Sequence, residues 1–149
     1  MKAMFGDFLK RLTQPDPAPL ADADARLALT ALLVRVARSD NDYAAAEARR
    51  IEDIAAARYG LDATQARDLR SEGEALEREA PDTVRFTRAI KDAVAYEERV
   101  GVIEALWQVV LADGKRSDEE NALLRLVASL LGVTDTDSHM ARQRVARDS

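Results

Sequence analysis

Apolar residues recur along this chain at steps of three and four, the spacing that lines one face of an α-helix. Met1, Met4, Phe5, Phe8, Leu9 and Leu12 share such a face in a short first segment. The stretch "TQPDPAP" follows, and its three alternating prolines predict an extended, semi-stiff linker over residues 13–19. Leu29, Leu32, Leu33 and Val36 set the next helix, over 21–38, before the polar break "RSDND". Ile51, Ile54 and Ala55 set another over 43–58, with Asp42 as its cap and Gly60 as its stop. Asp62 with Gln65 reads as a capping box for a third helix carrying Ala66, Leu69 and Leu76 inward, with Gly73 as a weak point. A fourth helix begins at Pro81 and turns Phe86 and Ile90 inward. A fifth, over 97–112, buries Val102, Ile103, Leu106 and Val109. Ser117 opens a sixth, which ends before Gly132, and Thr134 with Asp137 opens a seventh as a second capping box. No β-strand is expected.

Sliding the sequence by 73 positions aligns two of its parts. Leu33 meets Leu106, Val36 meets Val109, Asp40 meets Asp113, Glu47 meets Glu120, Ile51 meets Leu124 and Ile54 meets Val127. After one deletion Gly60 meets Gly132 and Thr64 meets Thr136. Each unit is therefore helix, acidic turn, helix, and an internal duplication predicts two helical hairpins around a pseudo-twofold axis. The expected organisation is an amphipathic helix at 1–12, the linker at 13–19 and an all-α domain of about seven helices at 20–149.

Composition supports this picture. Of 149 residues, 47% are hydrophobic and 33% charged, with six Gly and four Pro, so helix formers dominate and a real core is affordable. The absence of cysteine excludes disulfides, thiolate metal sites and cysteine nucleophiles. No apolar run approaches the roughly 20 residues that span a bilayer. No signal peptide is legible in the amphipathic 1–12 segment, so a cytoplasmic location is expected. A net charge of -5 with three Phe, three Tyr and one Trp predicts no nucleic-acid binding, which needs clustered cations and stacking platforms. The three arginines of "ARQRVARDS" read as the cationic end of a last helix.

The acidic turns carry the candidate chemistry. In "SDEE", Glu120 has the place of a capping-box glutamate with Ser117. Asp113 ends a helix, where the dipole disfavours an anion by about 0.3–1 kcal/mol. Asp40 ends a helix in the same way, and with Asp42 as cap Glu47 falls beyond the capping position. Two carboxylates brought together across a turn need a cation or a proton between them. With one His and no Cys, the ligand set is all oxygen and suits calcium, magnesium or manganese. The interval is shorter than the about eleven residues of an EF-hand loop. The alternative is that these turns are structural only. No phosphate-binding glycine loop, nucleophile elbow or triad is present, so no enzymatic activity is expected. His139 is expected in solvent, Trp107 in the core, and Glu97 and Glu98 in the first turn of a helix.

The segment "YEERVGVIEALWQVVLADGKRSDEENALLRLVASLLGVTDTDSHMARQRV" resembles the tellurite-resistance TerB family, most of all its small stand-alone bacterial members. The marks are "RFTRAI", "EER", "EALWQVVLADG", the glutamate seven positions after that aspartate, and "VTDTDSHMARQRV"; the resemblance reaches back through "RSDNDYAAAEARRI" and spans roughly 20–146. It implies an all-helical, internally duplicated fold, a metal-binding role for Asp40, Glu47, Asp113 and Glu120, and a link to tellurite and other stress resistance. The first turn departs from the family's Asp-Gly by reading "SDND", where Asn41 tolerates a left-handed backbone. The expected function is a non-enzymatic, stress-associated interaction module that binds a divalent cation and a protein partner or a second copy of itself. The alternative is an adaptor without metal that docks to a protein or a membrane surface through residues 1–12, whose Lys2, Lys10 and Arg11 would meet anionic lipid.

Overall fold

The computed structural model describes residues 8–10, 12, 21–39, 43–112 and 118–148, with the side chains of residues 22, 112, 118–120 and 148 outside that description. The proline-rich segment 13–19 and the aspartates Asp40 and Asp113 lie outside the described residues. Besides the helical residues at 8–10 and 12, seven helices occur among the described residues, and no strand. They are α1 (Asp22–Ala37), α2 (Ala45–Tyr59), α3 (Ala63–Glu79), α4 (Thr83–Ala93), α5 (Tyr96–Ala112), α6 (Asp118–Leu130) and α7 (Asp135–Asp148).

The helices pair in the form that a duplication requires. α1 packs on α3 as α5 packs on α7; α1 meets α2 as α5 meets α6. The two units cross, α2 meeting α5 and α1 meeting α6, with α1 and α5 in contact between them. α4 is the connector and lies against α6 and α1. Even the helix ends repeat. Gly60 and Gly132 both take left-handed backbone, with φ of 64° and 71°. Beyond them Leu61 N–H donates to Ala56 O and Val133 N–H to Ala128 O, at 3.1 and 3.0 Å. That six-to-one bond satisfies carbonyls left over at a helix C-terminus and needs the left-handed residue that glycine supplies without strain.

The apolar faces read from the sequence form one core. Leu29, Leu32, Leu33, Val36, Ile51, Ile54, Phe86, Ile90, Val102, Ile103, Leu106 and Val109 are all buried. Trp107 is buried with them, and its indole N–H reaches the Ser138 hydroxyl at 3.3 Å. Phe8 and Leu12 belong to the same core, Leu12 almost wholly buried. Leu69, expected inward, is half-buried.

Gly73 is not the weak point that its place in a helix interior suggests. It is buried, and a β-carbon built on it would come within 2.8 Å of Thr30 Cγ2. α3 can approach α1 this closely because Gly73 presents no side chain. The fourth helix begins later than expected. Asp82, not Pro81, is its last extended residue, and the Asp82 carboxylate accepts from Arg85 N–H at 3.0 Å. The Pro81 carbonyl is instead held by Arg35 Nη1 at 2.7 Å.

Candidate functional site: the acidic turns and the clefts beside them

The first turn leads into α2, and its geometry corrects one expectation. Asp42, expected as the cap of this helix, lies outside the described residues. The N-cap is Ala44, extended at φ −96° and ψ 169° and without a side-chain cap. Tyr43, just before the cap, reaches across to α3: its hydroxyl donates to Glu74 Oε2 at 2.5 Å, and Arg38 lies over its ring at 5.8 Å. With the helix starting two residues later, Glu47 is its third residue, and Glu47 N–H donates to Ala44 O at 3.0 Å. A glutamate there faces unsatisfied helix N–H groups and the positive end of the dipole.

α6 begins at Asp118, so Glu120 is also the third residue of its helix. The two glutamates therefore share one position, and helix-end chemistry favours both. The premise that Glu47 had no such position does not hold. The aspartates Asp40 and Asp113 and the Glu120 carboxylate lie outside the described residues, so of the four expected ligands the structure describes the Glu47 side chain, half-buried. Among the described residues no three His, Cys, Asp or Glu side chains converge as a metal site.

Beside the first turn, Tyr43 forms one wall of a polar cleft of about 610 Å³ between α2 and α3. Arg70 organises it, meeting Glu52 Oε2 at 2.8 Å and Glu74 Oε1 at 3.0 Å. Arg49 and Arg67 add two further guanidinium groups to the lining. Burial first, then the bond to Glu74 and that carboxylate's charge, push the Tyr43 phenol far above its ordinary value. Sequence reasoning did not find this network. Arg70 and Glu74 are a visible i,i+4 pair, but Tyr43 reaches Glu74 across 31 residues.

A second, smaller cavity of about 220 Å³ lies where α1, α2 and α5 meet, lined by residues that include Arg26, Arg58, Tyr59 and Gly101. Nearby, Glu104 of α5 takes Arg58 at 3.0 Å and Arg144 of α7 at 2.8 Å. Burial is the largest cause that raises the Tyr59 phenol. The Asp82 carboxyl is held below its ordinary value, chiefly by Arg85 N–H, which is the work of a helix cap. Glu97 and Glu98 lie in the first turn of α5, and His139 is exposed.

No helix among the described residues is long and apolar enough to cross a membrane. Comparison with curated proteins and with solved structures yields no match. The family described as tellurite resistance protein TerB matches residues 26–143, from the second turn of α1 into α7. Its span covers both halves of the duplication and both acidic turns, and the chain belongs to the TerB family.

Proposed function

We propose that this chain is a non-catalytic, cytoplasmic, stress-associated module that takes a divalent cation at its acidic turns and passes the bound state to a protein partner or a second copy. The observation that carries the reading is the matched placement of Glu47 and Glu120, each third in its helix and each seven residues after an aspartate that follows the preceding helix. A helix C-terminus supplies unsatisfied carbonyl oxygens. With Asp40 and Glu47, or Asp113 and Glu120, those oxygens would make the hard donor set that calcium, magnesium or manganese prefers. Membership in the TerB family supports the association with stress resistance.

One observation favours the second reading, a scaffold whose acidic turns are structural. Helix-end chemistry accounts for both glutamates without a cation. Its proposed docking segment, residues 1–12, would reach a protein or membrane with Met1, Met4 and Phe5, since Phe8 and Leu12 are committed to the core. Calorimetric titration of chelator-treated protein with calcium, magnesium and manganese separates the two. Saturable heat that disappears in Asp113→Ala/Glu120→Ala, and weakens in Asp40→Ala/Glu47→Ala, supports the cation module. An absence of heat with all three ions leaves the scaffold.

A further inference from the structure

The cleft between α2 and α3 holds more cation than its own carboxylates use. Arg70 is fully committed: its Nε and Nη2 both go to Glu52 Oε2, at 2.9 and 2.8 Å, and its Nη1 goes to Glu74 Oε1 at 3.0 Å. The Tyr43 hydroxyl takes the other oxygen of Glu74. Both carboxylates of the lining are therefore answered from within the chain, by one guanidinium and one phenol. Arg49 lies one turn before Glu52 on α2, and Arg67 one turn before Arg70 on α3; both line the same cleft. Among the described residues neither guanidinium has a hydrogen-bond or ion-pair partner.

The repeat shows that this surplus belongs to the first half. Arg49 and Arg67 correspond to Ala122 and His139. Arg70 corresponds to Arg142, which covers the Trp107 ring instead of bridging two carboxylates. The wall beside Arg49 differs as well. Ala44, Ala45 and Ala48 stand where the second half has Ser117, Asp118 and Asn121, so that wall is open and offers no carboxylate to Arg49. What the cleft has left to give is two guanidiniums, one from each helix.

From this we infer that the cleft binds a small molecule through a phosphate group. Arg49 and Arg67 together supply two positive charges and two planar forks of N–H donors. A tetrahedral dianion can take both forks at once on separate oxygens, whereas a carboxylate offers one charge and two oxygens. At about 610 Å³ the cleft lies within the roughly 300–1,000 Å³ of small-molecule sites, which leaves room for the rest of a phosphomonoester. Arg70 acts as a positioning residue: by bridging Glu52 and Glu74 it ties α2 to α3 and neutralises the two carboxylates that would repel the ligand. The site needs no metal and shares no residue with the acidic turns.

The test is a ¹H–¹⁵N NMR titration in the presence of chelator and at constant ionic strength, so that neither a cation nor screening contributes. The probes are inorganic phosphate, sulfate, acetate and glycerol 3-phosphate. Phosphate should shift the Nε–H signals of Arg49 and Arg67 and the amides of Ala44, Ala45 and Ala48 saturably. Sulfate, also a tetrahedral dianion, should follow it, and glycerol 3-phosphate should bind at least as tightly. Acetate should bind at least about tenfold more weakly. Arg49→Gln and Arg67→Gln should each weaken phosphate about tenfold. Both side chains are exposed, so these variants keep their fold, which their own spectra verify. Arg88→Gln, which removes an exposed guanidinium on α4 outside the cleft, should leave the titration unchanged. The inference is overturned by any of four results: no saturable shift with phosphate, acetate binding as well as phosphate, exclusion of glycerol 3-phosphate, or Arg88→Gln weakening phosphate as much as Arg67→Gln does.

Discussion

In the first half of the molecule, α1 is tied to α3 largely by charge. Glu77 takes Arg35 at 3.2 Å and Arg38 at 3.1 Å, and Arg35 goes on to the carbonyls of Glu77 and Pro81. In the second half, α5 is tied to α7 by a single ion pair among the described residues, Glu104 with Arg144 at 2.8 Å, and otherwise by hydroxyl and ring contacts. Trp107 meets Ser138 while Arg142 covers its indole at 5.2 Å, and Tyr96 donates to Asp137 at 2.6 Å. The interior contact differs as well. The first half opposes Gly73 to Thr30, and the positions corresponding to these are Val145 and Ile103, both buried. Both copies carry ion pairs, but one backbone arrangement is held by a close small-residue contact in one copy and by larger apolar side chains in the other. The lesson is that a duplicated fold preserves spacing and helix ends, while each copy finds its own means of filling the space between its helices.

The strongest way to test this equivalence is to empty the same place in both halves. Leu33→Ala and Leu106→Ala each remove a buried leucine at a matched position and should each cost about 2–5 kcal/mol. Both should lower a single cooperative melting transition by similar amounts. If Leu33→Ala costs less than about 1 kcal/mol while Leu106→Ala falls within the range, the halves do not share one core. Gly73→Val, which copies the second half into the first, should come next. Its β-carbon would collide with Thr30 Cγ2, and overpacking of this kind typically costs about 1–3 kcal/mol. Adding Thr30→Ala to Gly73→Val should recover more than half of the loss in a denaturant titration. An additive double variant would mean that the contact is not what sets the helix separation.

Gly73 also marks the boundary of what the chain makes legible. Residues whose role depends on near neighbours could be read directly: the 3.6-residue faces, Gly60 and Gly132 as left-handed stops, and Asp62 with Gln65, whose reciprocal bonds measure 2.8 and 3.0 Å. Residues whose role is set by distant partners were misread. Gly73 looks destabilising until Thr30, 43 positions away, is known to lie against it. Tyr43 looks helical, yet its hydroxyl goes to Glu74 and the cap is Ala44, which gives Glu47 its helix-end position. The acidic turns were found by repetition, which survives without contact information. The cavity between α1, α2 and α5 was not found, because its lining comes from three helices.

The second capping box shows the same divergence on a smaller scale. Thr134 Oγ1 accepts from Asp137 N–H at 3.1 Å, as expected. The Asp137 carboxylate, however, takes the Tyr96 hydroxyl, and that hydroxyl oxygen accepts from Thr134 N–H at 3.3 Å. Asp62→Ala and Thr134→Ala should each cost about 0.5–2 kcal/mol. Tyr96→Phe should be non-additive with Thr134→Ala, because both disturb one three-residue network, and additive with Asp62→Ala, which is remote from it. A double-mutant cycle with no coupling between Tyr96→Phe and Thr134→Ala would remove the bridging role of the hydroxyl.

The gentlest contrast between the halves is read in alkali. Tyr43 and Tyr59 both belong to the first half, and in both burial is the largest cause that raises the phenol. A raised folded value means that the folded protein keeps its proton where the unfolded chain loses one. Below about pH 10 both states are protonated and these groups add no pH dependence. Above it the unfolded chain binds fewer protons, so stability must fall as pH rises, and it continues to fall until the folded-state phenols ionise as well. Thermal melts taken from about pH 9 to about pH 11 should therefore show a declining midpoint that starts near pH 10. Tyr43→Phe and Tyr59→Phe should each flatten the decline. Hydrogen exchange in the same range should show amides of α1, α2 and α3 losing protection before those of α5 and α7. An equal loss in both halves, or a slope that neither substitution changes, would place the alkaline weakness elsewhere and remove the tyrosines from the comparison.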